Sequence, residues 1–430
     1  MKRQDLPALT GLRFAAAAAI VMDHLWPTFF KLKTGVPFFE SMHQLAFVGM
    51  SLFFVMSGFI IHYNYSHSVT SIRGLYAFGV ARFSRLYPLL LALIVYDVSS
   101  GNWFLYQPDE RASYFAALPY TLTATQSWFY GFVGNHPIAF PYNFTNVAWS
   151  ISTEFFLYLT YPLICLLMMR RAGGRHSLAI TVVIIVASAA LLSLIMHHTA
   201  TIDYLAARIG VVENPLAIPN EIFSDWFKYI APYPRVFEFL TGCAIAQAFN
   251  SISERLPSLR ERIIGLAALT LALINVGLFV FRSELISIDA QRAVWSVGLL
   301  PAISVIVFCC ARYEPKPLSV APIVALGEAS YSMYLLHLIV IDKSAPTSPF
   351  APAIDNLVII AVRTLIVLAA IAVISLGTHR YFEMPARRLM RKLLLPRRRS
   401  VIFVEDDFPT NPSDTGRRTR AGGDGRTIAS

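Results

Sequence analysis

Charge is what this sequence has least of: only 14% of its 430 residues are Asp, Glu, Lys or Arg, while 56% are apolar. A soluble chain of this length needs far more polar surface, so an ordinary soluble domain is excluded. Cysteine is scarce too. Cys165, Cys243, Cys309 and Cys310 all fall inside apolar runs and lack the spacing of metal ligands or of a disulfide framework. No Gly-rich phosphate loop, no HExxH and no GxSxG occurs, which weakens nucleotide-hydrolase, zinc-protease and lipase-type readings. Internal repeats and paired Gly/Pro-interrupted spans, the marks of inverted-repeat carriers, are also missing.

What is present is a series of long apolar runs. Ten reach the roughly 20 residues that carry a helix through a bilayer core of about 30 Å. They lie near 9–30, 45–64, 75–97, 146–169, 178–197, 229–249, 262–281, 293–311, 322–341 and 356–381. An eleventh, "YFAALPYTLTATQSWFYG" at 114–131, is short and proline-broken and reads as an interfacial or re-entrant piece of one long loop. The net charge of +10 is not a nucleic-acid footprint, because the basic residues cluster between the runs. With the N-terminus in the cytoplasm, "RRAGGR" at 170–175, "ERLPSLRER" at 254–262 and "RYEPK" at 312–316 all fall on the inner side, as the positive-inside rule requires. The opening "MKRQ" imitates a signal peptide, but Asp23 and His24 stand where a cleavage site needs small residues. The fold expected is therefore all-α: a polytopic protein of the cytoplasmic (inner) membrane, with about ten transmembrane helices and both termini cytoplasmic. Residues 1–395 form the membrane domain, and the polar segment 396–430 is expected to be a disordered cytoplasmic tail.

Several spans keep ionisable groups that cost roughly 2.5–3.5 kcal/mol each at the bilayer centre. In "TGLRFAAAAAIVMDHLW", Arg13 and His24 lie eleven residues apart, which returns them to one helix face about 16 Å apart along the axis. Arg13 alone can be read as snorkelling to headgroups and His24 alone as a satisfied core histidine; together they suggest a lined polar path. Arg82 and Arg85 in "ARFSRLYPLLL" share a face, and anchoring to anionic lipid competes there with phosphate binding by guanidinium forks. Glu154 in "NVAWSISTEFFLYLTYPL" is a carboxylate at about the depth of His24. Arg235 and Glu238 can pair within their own helix, and His337 in "LGEASYSMYLLHLIV" can be read as an interfacial residue. Arg13, Arg82 and Arg85 could dock the phosphates of a cytoplasmic donor, with His24 deeper as general base and Glu154 orienting its ring. A covalent route through His24 itself or a serine such as Ser330 stays open. Buried Arg, Glu and His also line transport pathways, so a carrier is the competing class.

These residues carry a resemblance. Arg13 and His24 at this spacing, "FVGMSLFFVMSGFII" at 47–61, "ARFSRLYPLLL" at 81–91 and "NVAWSISTEFFLYLTYPL" at 146–163 resemble the membrane acyltransferase-3 family. "RVFEFLTGC" at 235–243, "LGEASYSMYLLH" at 326–337 and "YFEMP" at 381–385 continue the likeness in family order. The resemblance implies a ten-helix O-acyltransferase, commonly an O-acetyltransferase. Its donor is a cytoplasmic acyl-CoA, typically acetyl-CoA, and no metal takes part. Its acceptors are hydroxyls of extracytoplasmic or lipid-linked glycans, or small molecules such as macrolides. It implies that Arg13 and His24 are the essential pair, Arg82 and Arg85 a second arginine motif, and Glu154 a recurrent acid. Relatives that carry a fused extracytoplasmic domain imply, for this chain, transfer alone or hand-over to a separate extracytoplasmic transferase.

Overall fold

A computed structural model describes residues 5–29, 44–100, 108–133, 136–139, 143–169, 177–211, 222–252, 255–281, 298–344 and 357–395. The described chain is almost wholly helical. The main helices are α1 (Pro7–Phe29), α2 (Leu45–Tyr65), α3 (Ile72–Ser99), α4 (Pro108–Leu122), α5 (Trp149–Met169), α6 (Ser177–His197) and α7 (Thr199–Arg208). They continue with α8 (Pro232–Ile252), α9 (Leu259–Val280), α10 (Leu299–Tyr313), α11 (Ala321–Glu328), α12 (Ser330–Ser344), α13 (Leu357–Thr378) and α14 (Met384–Leu394). Among the described residues the one sheet is a two-residue antiparallel pair, Phe132–Val133 with His136–Pro137.

Each of the ten expected runs coincides with a helix, yet they do not all qualify as spans by length and composition. Among the described residues seven stretches do, or eight if α11 and α12, which meet at a 71° bend, form one broken span. Of the two runs left over, 293–311 lies partly outside the described residues, and the other, α8, falls short for a physical reason. Its Arg235, Glu238 and Thr241 are buried inside the protein, so the helix needs no lipid-facing apolar coat. The peripheral helices show the opposite pattern: Leu178, Val183 and Val186 of α6 and Leu365, Ile366 and Val373 of α13 turn outward. The chain is thus a multi-pass membrane protein with a polar-seamed centre and greasy flanks. The 114–131 segment forms α4 and turns and is not among the spans. "RRAGGR" at 170–175 and the tail 396–430 lie outside the described residues.

The centre is set by α2 against α8. A Cβ at Gly58 would sit 2.0 Å from the Phe239 carbonyl oxygen, and one at Gly242 1.9 Å from that of Val55. Only glycine lets the two backbones approach this closely, the device by which membrane helices pack without a hydrophobic drive between them. Local signals fix the ends of other helices. Ser71 accepts from Gly74 N at 3.1 Å to start α3, and Ser258 and Glu261 form a reciprocal capping box at the start of α9. Asp23 reaches from α1 to the first turn of α2, where its Oδ1 accepts from Ala46 N at 3.3 Å. That contact explains one of the acidic groups in the first span: it ties α1 to a neighbouring helix terminus.

Candidate active site

Of the five residues expected to form the site, Arg13, His24, Arg82, Arg85 and Glu154, four meet in one place. Arg13 from α1, Arg82 and Arg85 from α3 and Glu154 from α5 line a single cavity of ≈ 70 Å³, together with Ser57 of α2 and Ser330 of α12. Three guanidiniums face it against one carboxylate, so the cavity favours an anion or a developing negative charge. Its volume accommodates a few waters, since one water needs about 10–15 Å³ on this measure. Any larger guest enters by displacing side chains.

Each wall is braced. Arg82 is only 1% exposed; its Nη2 donates to Tyr65 Oη at 2.8 Å, and its guanidinium carbon lies 4.9 Å from the centre of that ring. A buried cation is thus held by a hydroxyl and a π-face together. Glu154 accepts from Ser57 Oγ at 3.1 Å and from the Tyr158 hydroxyl one turn along its own helix. The start of α5 is pinned across the cavity, because Ser150 Oγ donates to Tyr334 Oη at 2.8 Å and Tyr334 Oη donates to Val147 O at 2.9 Å. The pair expected within α8 forms, Arg235 to Glu238 at 3.1 Å, and Glu238 also accepts from Ser51 at 2.6 Å. Arg235 further donates to Tyr229 O at 2.8 and 3.0 Å, so this network locks α8 to the preceding turn and to α2.

His24 is not among the residues lining the cavity. Its Nδ1 lies 2.9 Å from Nε2 of His337, and the two rings meet edge to edge, with planes 18° apart and centroids 5.0 Å apart. Glu154, set behind His24 in the sequence reading, is directed at Ser57 and Tyr158; the group beside the imidazole is a second imidazole. His337 is fully buried rather than interfacial. The link between the two places is α12 itself. Ser330, Tyr334 and His337 stand at i, i+4 and i+7 and so share one face, with Ser330 and Tyr334 on the cavity and His337 against His24. Arg13 and His24 likewise share one face of α1. One polar edge, Ser330–Tyr334–His337 of α12, thus runs from the cavity to the imidazole pair, while on α1 the apolar Ala17 and Ile20 lie between Arg13 and His24.

The base of α12 is fixed by the turn that sequence reading knew only as "YFEMP". Residues His379–Glu383 form a π-helical turn, where buried Glu383 accepts from Ser332 Oγ at 2.8 Å and lies 3.1 Å from His379 Nδ1. Ser330, two residues before Ser332, is fully buried, and its Oγ has no hydrogen-bond partner among the described residues. Tyr65, Ser57 and Tyr158 carried no signal as single residues, since aromatics and serines are common in spans. His337 did carry one, the i+7 register with Ser330. Among the described residues no cluster of His, Cys, Asp or Glu suited to a metal is present.

Comparison with known proteins gives concordant matches. Residues 6–377 match the acyltransferase-3 family, described as an acyltransferase domain. The chain is 25% identical over 408 residues to the peptidoglycan O-acetyltransferase OatA of Listeria monocytogenes, covering 90% of this chain and 56% of that protein. It is 27% identical over 341 residues to the acyltransferase MdmB of Streptomyces mycarofaciens, covering 78% of this chain and 79% of that one. The chain thus spans little more than half the length of the Listeria relative. No solved structure matches it.

Proposed function

This chain belongs to the acyltransferase-3 family, and on that premise we propose that it moves an acyl group, acetyl in the simplest case, from a cytoplasmic acyl-CoA to a hydroxyl of an envelope saccharide. The observation that carries the reading is the convergence of Arg13, Arg82, Arg85 and Glu154 from three helices on one buried cavity. In the topology that accompanies it, ten helices cross the inner membrane, both termini are cytoplasmic, and the cavity opens toward the cytoplasm.

The chemistry follows from the residues. The three guanidiniums attract the anionic donor and line the way by which its reactive end approaches His24. His24, further along the same face of α1, takes the proton of the acceptor hydroxyl as the oxygen attacks the thioester carbonyl. The C–S bond then breaks, and the leaving thiolate takes the proton back. Glu154 holds Ser57 and Tyr158 and keeps the cavity wall in register. The acceptor is a glycan hydroxyl, in line with the Listeria relative, a peptidoglycan O-acetyltransferase. A small-molecule acceptor of macrolide type is the alternative for the same site, and a separate extracytoplasmic transferase could relay the group onward.

Purified protein in liposomes with radiolabelled acetyl-CoA inside and a saccharide acceptor outside tests this. The reading expects label on the acceptor, dependent on His24 and lost in His24→Ala with normal membrane insertion. Uptake of a solute without covalent modification, or full activity in His24→Ala, contradicts it.

A further inference from the structure

The imidazole pair fixes which atom of His24 can act as the base. His337 Nδ1 lies 2.6 Å from the Tyr334 carbonyl oxygen. A carbonyl oxygen can only accept, so Nδ1 of His337 carries the proton. A neutral ring holds one proton, so Nε2 of His337 is a lone pair. That lone pair sits 2.9 Å from His24 Nδ1. Two lone pairs do not face each other at this distance, so His24 Nδ1 carries a proton and donates it. The single proton of the His24 ring is then placed, and its Nε2 is an acceptor.

From this chain of contacts we infer that His337 is a positioning residue that sets the tautomer of His24 and leaves Nε2 as the atom that removes the acceptor's proton. The inference rests on the acyl-transfer reading above and extends it to a residue and a nitrogen. In the step itself the acceptor O–H proton passes to His24 Nε2 while the new O–C bond forms. The imidazolium so produced still donates through Nδ1–H to His337. The thiolate released by C–S cleavage then takes the Nε2 proton, and the pair returns to its starting state. His337 thus does, as a neutral acceptor, what a carboxylate does behind a catalytic histidine. Within a membrane domain that choice has a reason: it orients the ring without a second buried charge. Two packed helices carry the arrangement, α1 for His24 and α12 for His337, and α12 is braced at its base by Ser332 and Glu383. Glu154, engaged by Ser57 and Tyr158, is relieved of the orienting role.

Two amide substitutions separate orientation from packing. A Gln at 337 reaches the place of Nε2 and offers an oxygen to His24 Nδ1–H; an Asn reaches only the place of Nδ1, next to the Tyr334 carbonyl. In proteoliposomes with acetyl-CoA and a saccharide acceptor, His337→Gln is expected to keep kcat within about tenfold of the parent. His337→Asn is expected to lose on the order of 10²–10⁴-fold in kcat, the range of general-base contributions, with the donor KM little changed. The inference is overturned if Asn retains activity and Gln does not, since the Tyr334 contact would then be what matters, or if both behave as the parent. Activity in His24→Ala sinks the underlying reading instead, whatever His337 does. A measurement on the unaltered protein stands independent of any variant's folding. Ring ¹⁵N spectra of histidine-labelled protein in nanodiscs should show His24 protonated at Nδ1, and a His24 ring protonated at Nε2 refutes the assignment.

Discussion

Removing one oxygen from Tyr65 isolates what a braced arginine contributes. In Tyr65→Phe the ring stays beneath the Arg82 guanidinium, 4.9 Å from its centre, so the cation–π contact survives. The hydroxyl that accepts from Arg82 Nη2 at 2.8 Å is lost. A hydrogen bond to a charged group is worth about 1.5–3 kcal/mol net, and Arg82 is too buried for water to replace it freely. If Arg82 must hold its present position to meet the donor, about 1.4 kcal/mol of that loss raises the donor KM tenfold, and the full range sets a ceiling of roughly 150-fold. The step at His24 does not involve Tyr65, so kcat should change by less than threefold. Initial rates in proteoliposomes at varied acetyl-CoA separate the two constants. An unchanged KM together with a normal fold would show that Arg82 is not part of donor recognition and would refute the reasoning.

Three further outcomes are expected. Gly58→Ala places a methyl 2.0 Å from a backbone oxygen and should lower the melting temperature in detergent by several degrees, from a cost of at least about 1–3 kcal/mol, while Gly79→Ala, with no heavy atom within 4 Å, should not. Arg235→Met leaves Glu238 buried with Ser51 but without its cation and should cost about 3–5 kcal/mol by thermal unfolding; the double change Arg235→Met, Glu238→Leu should recover much of it. Glu314, beyond the end of α10, is pushed above the ordinary carboxylate range by burial, although Ala8 N–H and Ser319 oppose the shift. A carboxyl raised in the fold contributes stability that is complete below its unfolded value and disappears as pH rises through the folded value. Glu314→Gln should therefore raise the melting temperature at pH 8 more than at pH 4, and equal effects at both would contradict the assignment.

Much of this was legible in the sequence because a membrane makes each buried charge expensive. Hydropathy marked a helix wherever the ten expected runs are described, though not the shorter α4, α7 and α14 between and beyond them, and the shared face of Arg13 and His24 follows from eleven residues of helix. Arg82, Arg85 and Glu154 stood out as charges in apolar runs, and they do converge. The partner of His24 was not legible. A carboxylate at equal depth looked like the natural orienter, but depth along a helix says nothing about azimuth, and packing turned Glu154 toward Ser57 and Tyr158. The bend between α11 and α12 was also hidden, since a run of apolar residues reads the same whether straight or broken. That bend, and the Ser332–Glu383 brace below it, are what bring His337 to His24.

The central claim is that the cavity of Arg13, Arg82, Arg85 and Glu154 receives the donor's reactive end and delivers it toward His24. Electron cryomicroscopy of the protein with a non-transferable thioether analogue of acetyl-CoA tests it most directly. The account predicts the sulfur within the cavity, beside Arg13 and Ser330, with the acyl mimic pointing along α12 toward the His24–His337 pair. An analogue bound elsewhere while that cavity stays closed would contradict it.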